Sequence, residues 1–179
     1  MTIRVRTWTR DDFAIVRHIL WQTWKSTYGP FIPDHDMRAY LDATYDNAGM
    51  EKLFVDPTIT CLMAETDNGT AGFVRTHFDG TEHRLYVSSI YILPEFQHHG
   101  IGIDLMRRAA AEARRAGLED LWLGVMSQNK GAVAWYQAMG FVTESTEPFA
   151  MGGTTVEHFI GHLPVSSLLG PARPDTARR

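Results

Sequence analysis

The chain has one cysteine, no apolar run long enough to span a membrane and no excess of basic residues. Cys61 lies between apolar neighbours, which predicts a reduced thiol that faces the core in a reducing compartment. The first residues lack the apolar stretch of a signal peptide, so we expect a cytoplasmic protein without a membrane partner. With 17 basic and 21 acidic residues, the sequence also lacks the positive charge of a general nucleic-acid binder.

The composition is that of one compact domain. The 179 residues are 44% hydrophobic, which is enough for a full core, whereas two domains would be cramped. The end of the chain combines prolines and charged residues without any periodicity. We therefore expect one domain over residues 1–163 and a C-terminal tail, open to disorder, over residues 164–179.

Hydrophobic periodicity predicts a chain that alternates strands and helices. The predicted strands are Ile3–Trp8, Thr58–Glu65, Thr70–Phe78, Arg84–Leu93, Asp120–Met126, Phe141–Thr146 and Thr155–His162. The predicted helices are Asp11–Tyr28, Asp34–Ala43, Gly100–Arg115 and a short helix that Asn129 caps and Gly140 ends. The turn sequence TDNG favours a tight hairpin between the second and third strands.

The stretch PEFQHHGIGIDLM, Pro94–Met106, sets two histidines and a glycine turn before a helix. A metal site is disfavoured, because His98 and His99 are adjacent and no carboxylate or cysteine follows at ligand spacing. The dinucleotide-binding pattern G-x-G-x-x-G also fails, because Leu105 stands where the third glycine belongs. What remains is a helix whose first N–H groups face no side chain, and this positive end suits a pyrophosphate.

The segment QHHGIG resembles the Q/R-x-x-G-x-G/A motif of the GCN5-related N-acetyltransferases (GNAT). The segments IYILPEFQ and NKGAVAWYQAMGF resemble other parts of that family's pattern, in the same order. More narrowly, SSIYILPEFQHHGIG, LWLGVMSQNKGAVAWYQAMGF and FAMG are similar to the bacterial PaiA-type spermidine/spermine N-acetyltransferases. The resemblance implies an α/β fold with a central, mixed, mostly antiparallel twisted sheet of about seven strands flanked by about four helices.

The same resemblance implies that acetyl-coenzyme A binds at this loop as the cosubstrate. Backbone groups of the preceding strand would pair with its pantetheine arm, and the first N–H groups of the helix would bind its pyrophosphate. The residues that this assigns to the coenzyme are Ile90, Tyr91, Ile92, Gln97, His98, His99, Gly100, Ile101, Gly102, Ile103 and Asn129. His98 and His99 are then loop spacers, and Asn129 caps its helix and also bonds the amide arm.

Tyr136 is the candidate catalytic residue. In the family that the sequence resembles, the tyrosine of this helix protonates the departing coenzyme A thiolate. The alternative is an ordinary helix residue packed beside Val133 and Met139. We favour the acid because Asn129 precedes it and Gly140 follows it as in the motif.

The general base stays open at the level of the sequence. Many relatives carry a glutamate where this chain has Tyr86, Ser88 and Gly124. A water held by the backbone, Ser88 or Ser89 can relay the proton, and Glu82 and His83 at the strand entrance are further candidates.

The acceptor is predicted from aromatic and acidic residues near the first two helices. Trp24 and Tyr28 recur with Trp21 at helical spacing, and Asp34 and Asp36 follow, so together they can form a trough for a polyamine. The alternative is that the aromatic residues are core and the aspartates are solvated or cap a helix.

We therefore expect an N-acetyltransferase that acts by direct attack of a primary amine, with spermidine or spermine as the leading substrate. Another small amine, an amino acid, a protein N-terminus, or a coenzyme A-binding regulator without chemistry are the alternatives. We expect a monomer or homodimer with no nucleic-acid partner.

Overall fold

The computed structural model describes residues 2–171. Its strands are β1 (Arg4–Thr7), β2 (Ile59–Thr66), β3 (Gly69–Asp79), β4 (Arg84–Ile92), β5 (Asp120–Met126), β6 (Val142–Met151) and β7 (Thr154–Pro164). Its α-helices are α1 (Phe13–Tyr28), α2 (Asp34–Thr44), α3 (Asn47–Val55), α4 (Ile101–Arg115), α5 (Lys130–Ala138) and α6 (Val165–Leu169). Within residues 2–171, no helix is both long and apolar enough to cross a membrane.

All seven strands form one sheet in the order β1-β2-β3-β4-β5-β7-β6. Every neighbouring pair is antiparallel except β4 and β5, which run parallel. This confirms the predicted mixed, mostly antiparallel sheet. The helices number six over the described residues instead of about four, because α3 and α6 were not predicted.

The sheet separates two apolar cores. Helix α4 covers one face, and its predicted apolar stripe is buried there as expected: Ile101, Leu105, Ala109 and Ala113 are each at most 1% exposed. Helices α1 and α2 cover the other face, where Cys61 is buried among apolar neighbours as predicted. Each large aliphatic side chain buried in these cores stabilises the fold by about 1.5–3 kcal/mol.

The predicted tail is part of the domain up to residue 171. Strand β7 runs through Pro164, and helix α6 buries Val165 and Leu168 against the core. The N–H of Val165 donates to the Glu119 carbonyl at 2.8 Å, which fixes the start of this helix. Helix α6 thus packs on the core within the predicted tail, because two of its apolar side chains gain burial there. Residues 172–179 lie outside the described part of the chain.

Candidate active site

Strands β4 and β5 diverge along their length. They pair only at Leu85–Leu121, Tyr86–Trp122 and Val87–Leu123, although both strands continue beyond these residues. A β-bulge starts the divergence: Arg75 of β3 faces Ser89 and Thr76 faces Val87, so Ser88 is an extra residue in β4. From Ser88 onward, β4 has no sheet partner on the β5 side, which leaves backbone groups free to bind a ligand.

A cleft of about 500 Å³ occupies this gap. Eleven of the twelve residues predicted to bind coenzyme or to act as the acid line it; His99 does not. The lining residues from that set are Ile90, Tyr91, Ile92, Gln97, His98, Gly100, Ile101, Gly102, Ile103, Asn129 and Tyr136. Three separate sequence motifs therefore meet in one space between β4, α4 and α5.

The start of α4 presents the predicted free donors to this cleft. Gly100 has a φ of 82°, and no side chain caps the helix. The first intrahelical bond is donated by the N–H of Asp104 to the Gly100 carbonyl at 3.1 Å, so the N–H groups of residues 101–103 have no partner inside the helix. Together with the helix dipole, these donors make a site for an anionic group such as a pyrophosphate.

The loop before α4 is held by its own polar groups. The Gln97 amide Nε2 donates to the Ile92 carbonyl at 3.0 Å, and His99 Nδ1 lies 2.7 Å from the Gln97 carbonyl oxygen. Both histidines are exposed, and His98 has a φ of 63°. Neither imidazole lies in a buried polar network of residues 2–171.

The two glycines of the motif serve different contacts. A Cβ added at Gly100 would meet no atom within 4 Å, so this glycine opens onto free space at the cleft. A Cβ at Gly102 would lie 3.2 Å from Cζ2 of Trp135. Gly102, which the resemblance assigned to the coenzyme, therefore also lets the first turn of α4 approach α5.

Tyr136 and Asn129 are brought to the cleft by α5. Asn129 caps the helix, because its Oδ1 accepts the N–H of Ala132 at 3.2 Å. Tyr136 is 7% exposed, and its hydroxyl makes no hydrogen bond to residues 2–171. Burial raises the pKa of Tyr136, so the phenol is protonated at neutral pH. The side chain packs beside Phe141, and it also lines the cleft as an acid must.

The predicted polyamine trough is not assembled at the cleft. Trp24 is 1% exposed in the core, and Asp34 pairs with Lys25 at 3.2 Å. Asp36 accepts the N–H of Gly153 at 2.7 Å and the Thr154 hydroxyl at 2.6 Å, and these bonds lower the pKa of its carboxyl. Asp36 thus joins α2 to the turn between β6 and β7. Of the four residues, only Tyr28 lines the cleft, and burial raises its pKa to about 12.

Of the candidates for the general base, only the two serines line the cleft. The Tyr86 hydroxyl donates to the Glu82 carboxylate, so both side chains are engaged with each other at the far end of β4. His83 is exposed in the preceding turn, with a φ of 52°. Ser88 and Ser89 line the cleft and remain able to hold a water there.

Sequence reasoning missed His158. A Cβ added at Gly124, which lines the cleft, would lie 2.8 Å from Cε1 of His158, so the imidazole covers this glycine from β7. The ring also packs on Phe149 at a centroid distance of 4.9 Å. Burial lowers the pKa of His158, with a smaller opposite effect from Glu147, so the imidazole is neutral at pH 7. A glycine inside a strand was the available signal, because it marks close approach of another group.

Known proteins share both the sequence pattern and the fold. The sequence model of the Acetyltransferase (GNAT) family matches residues 14–141. An uncharacterized N-acetyltransferase of Lactobacillus delbrueckii subsp. lactis is 25% identical over 145 residues, which are 78% of this chain and 84% of that protein. The spermidine N(1)-acetyltransferase of Thermoplasma acidophilum is 23% identical over 151 residues, covering 82% and 92% of the two chains.

A solved structure has the same fold. The PaiA N-acetyltransferase from Thermoplasma acidophilum, crystallised in complex with coenzyme A, superposes with a TM-score of 0.77 at 22% identity. The superposition covers 88% of this chain and 98% of that one. The match to the family model extends over most of the domain, from α1 to the end of the α5 motif. The chain belongs to the Acetyltransferase (GNAT) family.

Proposed function

We propose that the protein transfers the acetyl group of acetyl-coenzyme A to a primary amine by direct attack of the amine on the thioester. As a member of this family, it uses acetyl-coenzyme A as the cosubstrate. One observation carries the proposal: the free N–H groups of α4, the unpaired edge of β4 and the Tyr136 hydroxyl all face one cleft. Phosphate binding, thioester orientation and proton donation are thereby available in one place.

The cleft suits the two ends of the coenzyme differently. The start of α4 offers N–H donors and a positive dipole to the pyrophosphate. The edge of β4 beyond Val87 offers backbone groups to the pantetheine amides and to the thioester carbonyl. Donors held against that carbonyl stabilise the negative charge that forms on its oxygen during attack.

The amine must lose a proton before or during attack. At pH 7 an alkylammonium with a pKa of about 10.4 costs about 4.6 kcal/mol to deprotonate. His158 is neutral because burial lowers its pKa, and its imidazole packs over Gly124, which lines the cleft. We therefore assign the imidazole as the base that accepts this proton, directly or through a water held by Ser88 or Ser89.

Tyr136 completes the proton balance. When the tetrahedral intermediate collapses, the carbon–sulfur bond breaks and the thiolate takes the phenolic proton. Since the pKa of a thiol is about 8.5, donation from a phenol is uphill unless it accompanies bond breaking in an aligned site. The Tyr136 hydroxyl has no competing hydrogen bond to residues 2–171, so it is available for that alignment.

A polyamine such as spermidine or spermine is the finer assignment. Its support is the name of the Thermoplasma acidophilum relative, a spermidine N(1)-acetyltransferase. The cleft itself offers no matching charge, because no Asp or Glu of the described chain lines it. Other small amines, amino acids and protein N-termini therefore stand beside the polyamines as acceptors to be tested.

A thiol-release assay over polyamines, amino acids and short peptides tests the function, with mass spectrometry to detect the N-acetyl product. We expect turnover with at least one class of primary amine and a product heavier by one acetyl group. Binding of acetyl-coenzyme A without turnover of any amine would instead identify a regulator that has lost the chemistry.

A further inference from the structure

Arg75, on β3, is a buried cation without an anionic partner among residues 2–171. The residue is 9% exposed, and within residues 2–171 no carboxylate oxygen lies within salt-bridge distance of its guanidinium. Its Nε donates to the Ser88 hydroxyl at 3.2 Å, and its Nη2 donates to the Tyr45 hydroxyl at 3.2 Å. Both acceptors are neutral, so no carboxylate of the described residues compensates the positive charge.

Such an arrangement is unfavourable by itself. A buried guanidinium loses its hydration, and the free-energy cost of this desolvation is normally offset by an ion pair with a carboxylate. The Tyr45 ring, whose centroid lies 5.4 Å from the guanidinium carbon, compensates only part of the charge. Nη1 makes no hydrogen bond in the described chain, yet it is not sealed from solvent, so it can donate to a ligand.

Arg75 itself does not line the cleft, but its guanidinium donates to Ser88, which does. Ser88, which holds Nε, is the bulged residue of β4 and lines the cleft. The Ser88 hydroxyl also donates to the Arg75 carbonyl at 3.1 Å, so the bulge and the arginine form one unit. The bulge is also the point where β4 leaves β5, which is where an acceptor must reach the thioester.

We infer that the acceptor is a primary amine that also carries a carboxylate, as an amino acid does, and that Arg75 binds this carboxylate. The inference rests on the proposed acetyltransferase function. Arginine presents a planar pair of N–H donors that matches a carboxylate, and binding it would supply the missing counter-charge. A polycation would instead bring like charge toward Arg75, with no carboxylate in the cleft lining to offset it.

Matched acceptors test this inference. Steady-state kcat/KM is measured for the common L-amino acids, for the carboxamide of each, for the decarboxylated amine of each, and for spermidine. For the best amino acid we expect kcat/KM to exceed that of its carboxamide by roughly 10- to 100-fold, the usual effect of one hydrogen-bonded charge pair. In Arg75→Met this ratio should fall to about one, mainly through KM, and Arg75→Lys should restore part of it.

Arg84→Met is the matched control, because Arg84 lies on β4 and bonds Glu82 and Tyr86, neither of which lines the cleft. Its acid-to-amide ratio should equal that of the wild type. Thermal unfolding separates binding from a structural role. Removing an unpaired buried charge should leave the melting temperature of Arg75→Met unchanged or raised, whereas a structural clamp between Ser88 and Tyr45 would lower it.

The outcomes distinguish the two proposals. An active enzyme that treats acid and amide alike, or an Arg75→Met variant that keeps the wild-type ratio, overturns the carboxylate inference and leaves the acetyltransferase function intact. If no amine is turned over, the proposed function fails. Calorimetry of the same amino acids on the coenzyme A-loaded protein then decides the inference: binding that Arg75→Met abolishes supports it, and the absence of such binding overturns it.

Discussion

Helix α4 has a glycine at each end, and alanine substitutions at the two positions distinguish the effect of backbone strain from the effect of ligand contact. Gly100 at the start and Gly117 at the end have φ values of 82° and 74°, and a Cβ at either position would meet no atom within 4 Å. Alanine at either site is therefore strained by its left-handed backbone alone. Only Gly100 lines the cleft, and the two residues are about 25 Å apart at 1.5 Å per helical residue.

The two alanine variants should lose similar stability and differ in affinity. The left-handed conformation costs alanine about 1–2 kcal/mol, which lowers the melting temperature of a chain of this size by about 2–8 °C. In Gly100→Ala, the methyl group enters open space at a residue that lines the cleft and precedes the free N–H groups of α4. Losing one charge-assisted hydrogen bond there corresponds to a decrease of roughly 10- to 100-fold in acetyl-coenzyme A affinity.

Calorimetric titration with acetyl-coenzyme A and thermal unfolding of both variants make the comparison. Gly117→Ala should bind like the wild type while showing the same loss of melting temperature as Gly100→Ala. Wild-type affinity in a folded Gly100→Ala variant would refute the assignment of this loop to the pyrophosphate. An equal loss of affinity in both variants would show that strain in α4, and not contact with the ligand, controls binding.

Three further predictions follow from single side chains. Asp36→Ala should lower the melting temperature because it leaves the Gly153 N–H and the Thr154 hydroxyl without their acceptor, and the KM of any accepted polyamine should stay unchanged. The pKa of His158 is lowered in the folded protein, so the unfolded chain binds a proton at this imidazole more readily. Thermal unfolding should therefore show that stability falls below about pH 6.5, and that His158→Gln weakens this trend. The pH profile of kcat/KM in His158→Gln should also lose the decrease at acidic pH that the wild type shows. Burial raises the pKa of Cys61 to about 12, so iodoacetamide at pH 8 should label it only as the protein unfolds, and rapid labelling of the native protein would contradict this.

Local sequence patterns predicted the elements that are long or that are bounded by glycine or a capping residue. Helix α4 followed from its apolar stripe, and the loop before it followed from its glycines, since both signals lie within a few residues of each other. Helices α3 and α6 have 9 and 5 residues, too few to establish a helical period. Their existence depends on burial against distant segments.

The acceptor side of the cleft could not be predicted, because it depends on contacts between distant parts of the chain. Asp36 was expected to face a ligand, but its partners Gly153 and Thr154 lie 117 and 118 residues further along. His158 reaches Gly124 from a different strand, through the pairing of β7 with β5. Neither contact has a sequence signature beyond a glycine inside a strand.

Single-turnover acetyl transfer by Tyr136→Phe tests the central claim most directly. Phenylalanine keeps the ring that packs beside Phe141 and removes only the hydroxyl, so the fold and acetyl-coenzyme A affinity should be retained. With the preferred amine and excess enzyme, the rate of the chemical step should fall roughly 10- to 1000-fold, the range expected for loss of a general acid. A wild-type single-turnover rate in the folded variant would contradict the acid role of Tyr136 and, with it, the proposed arrangement of the active site.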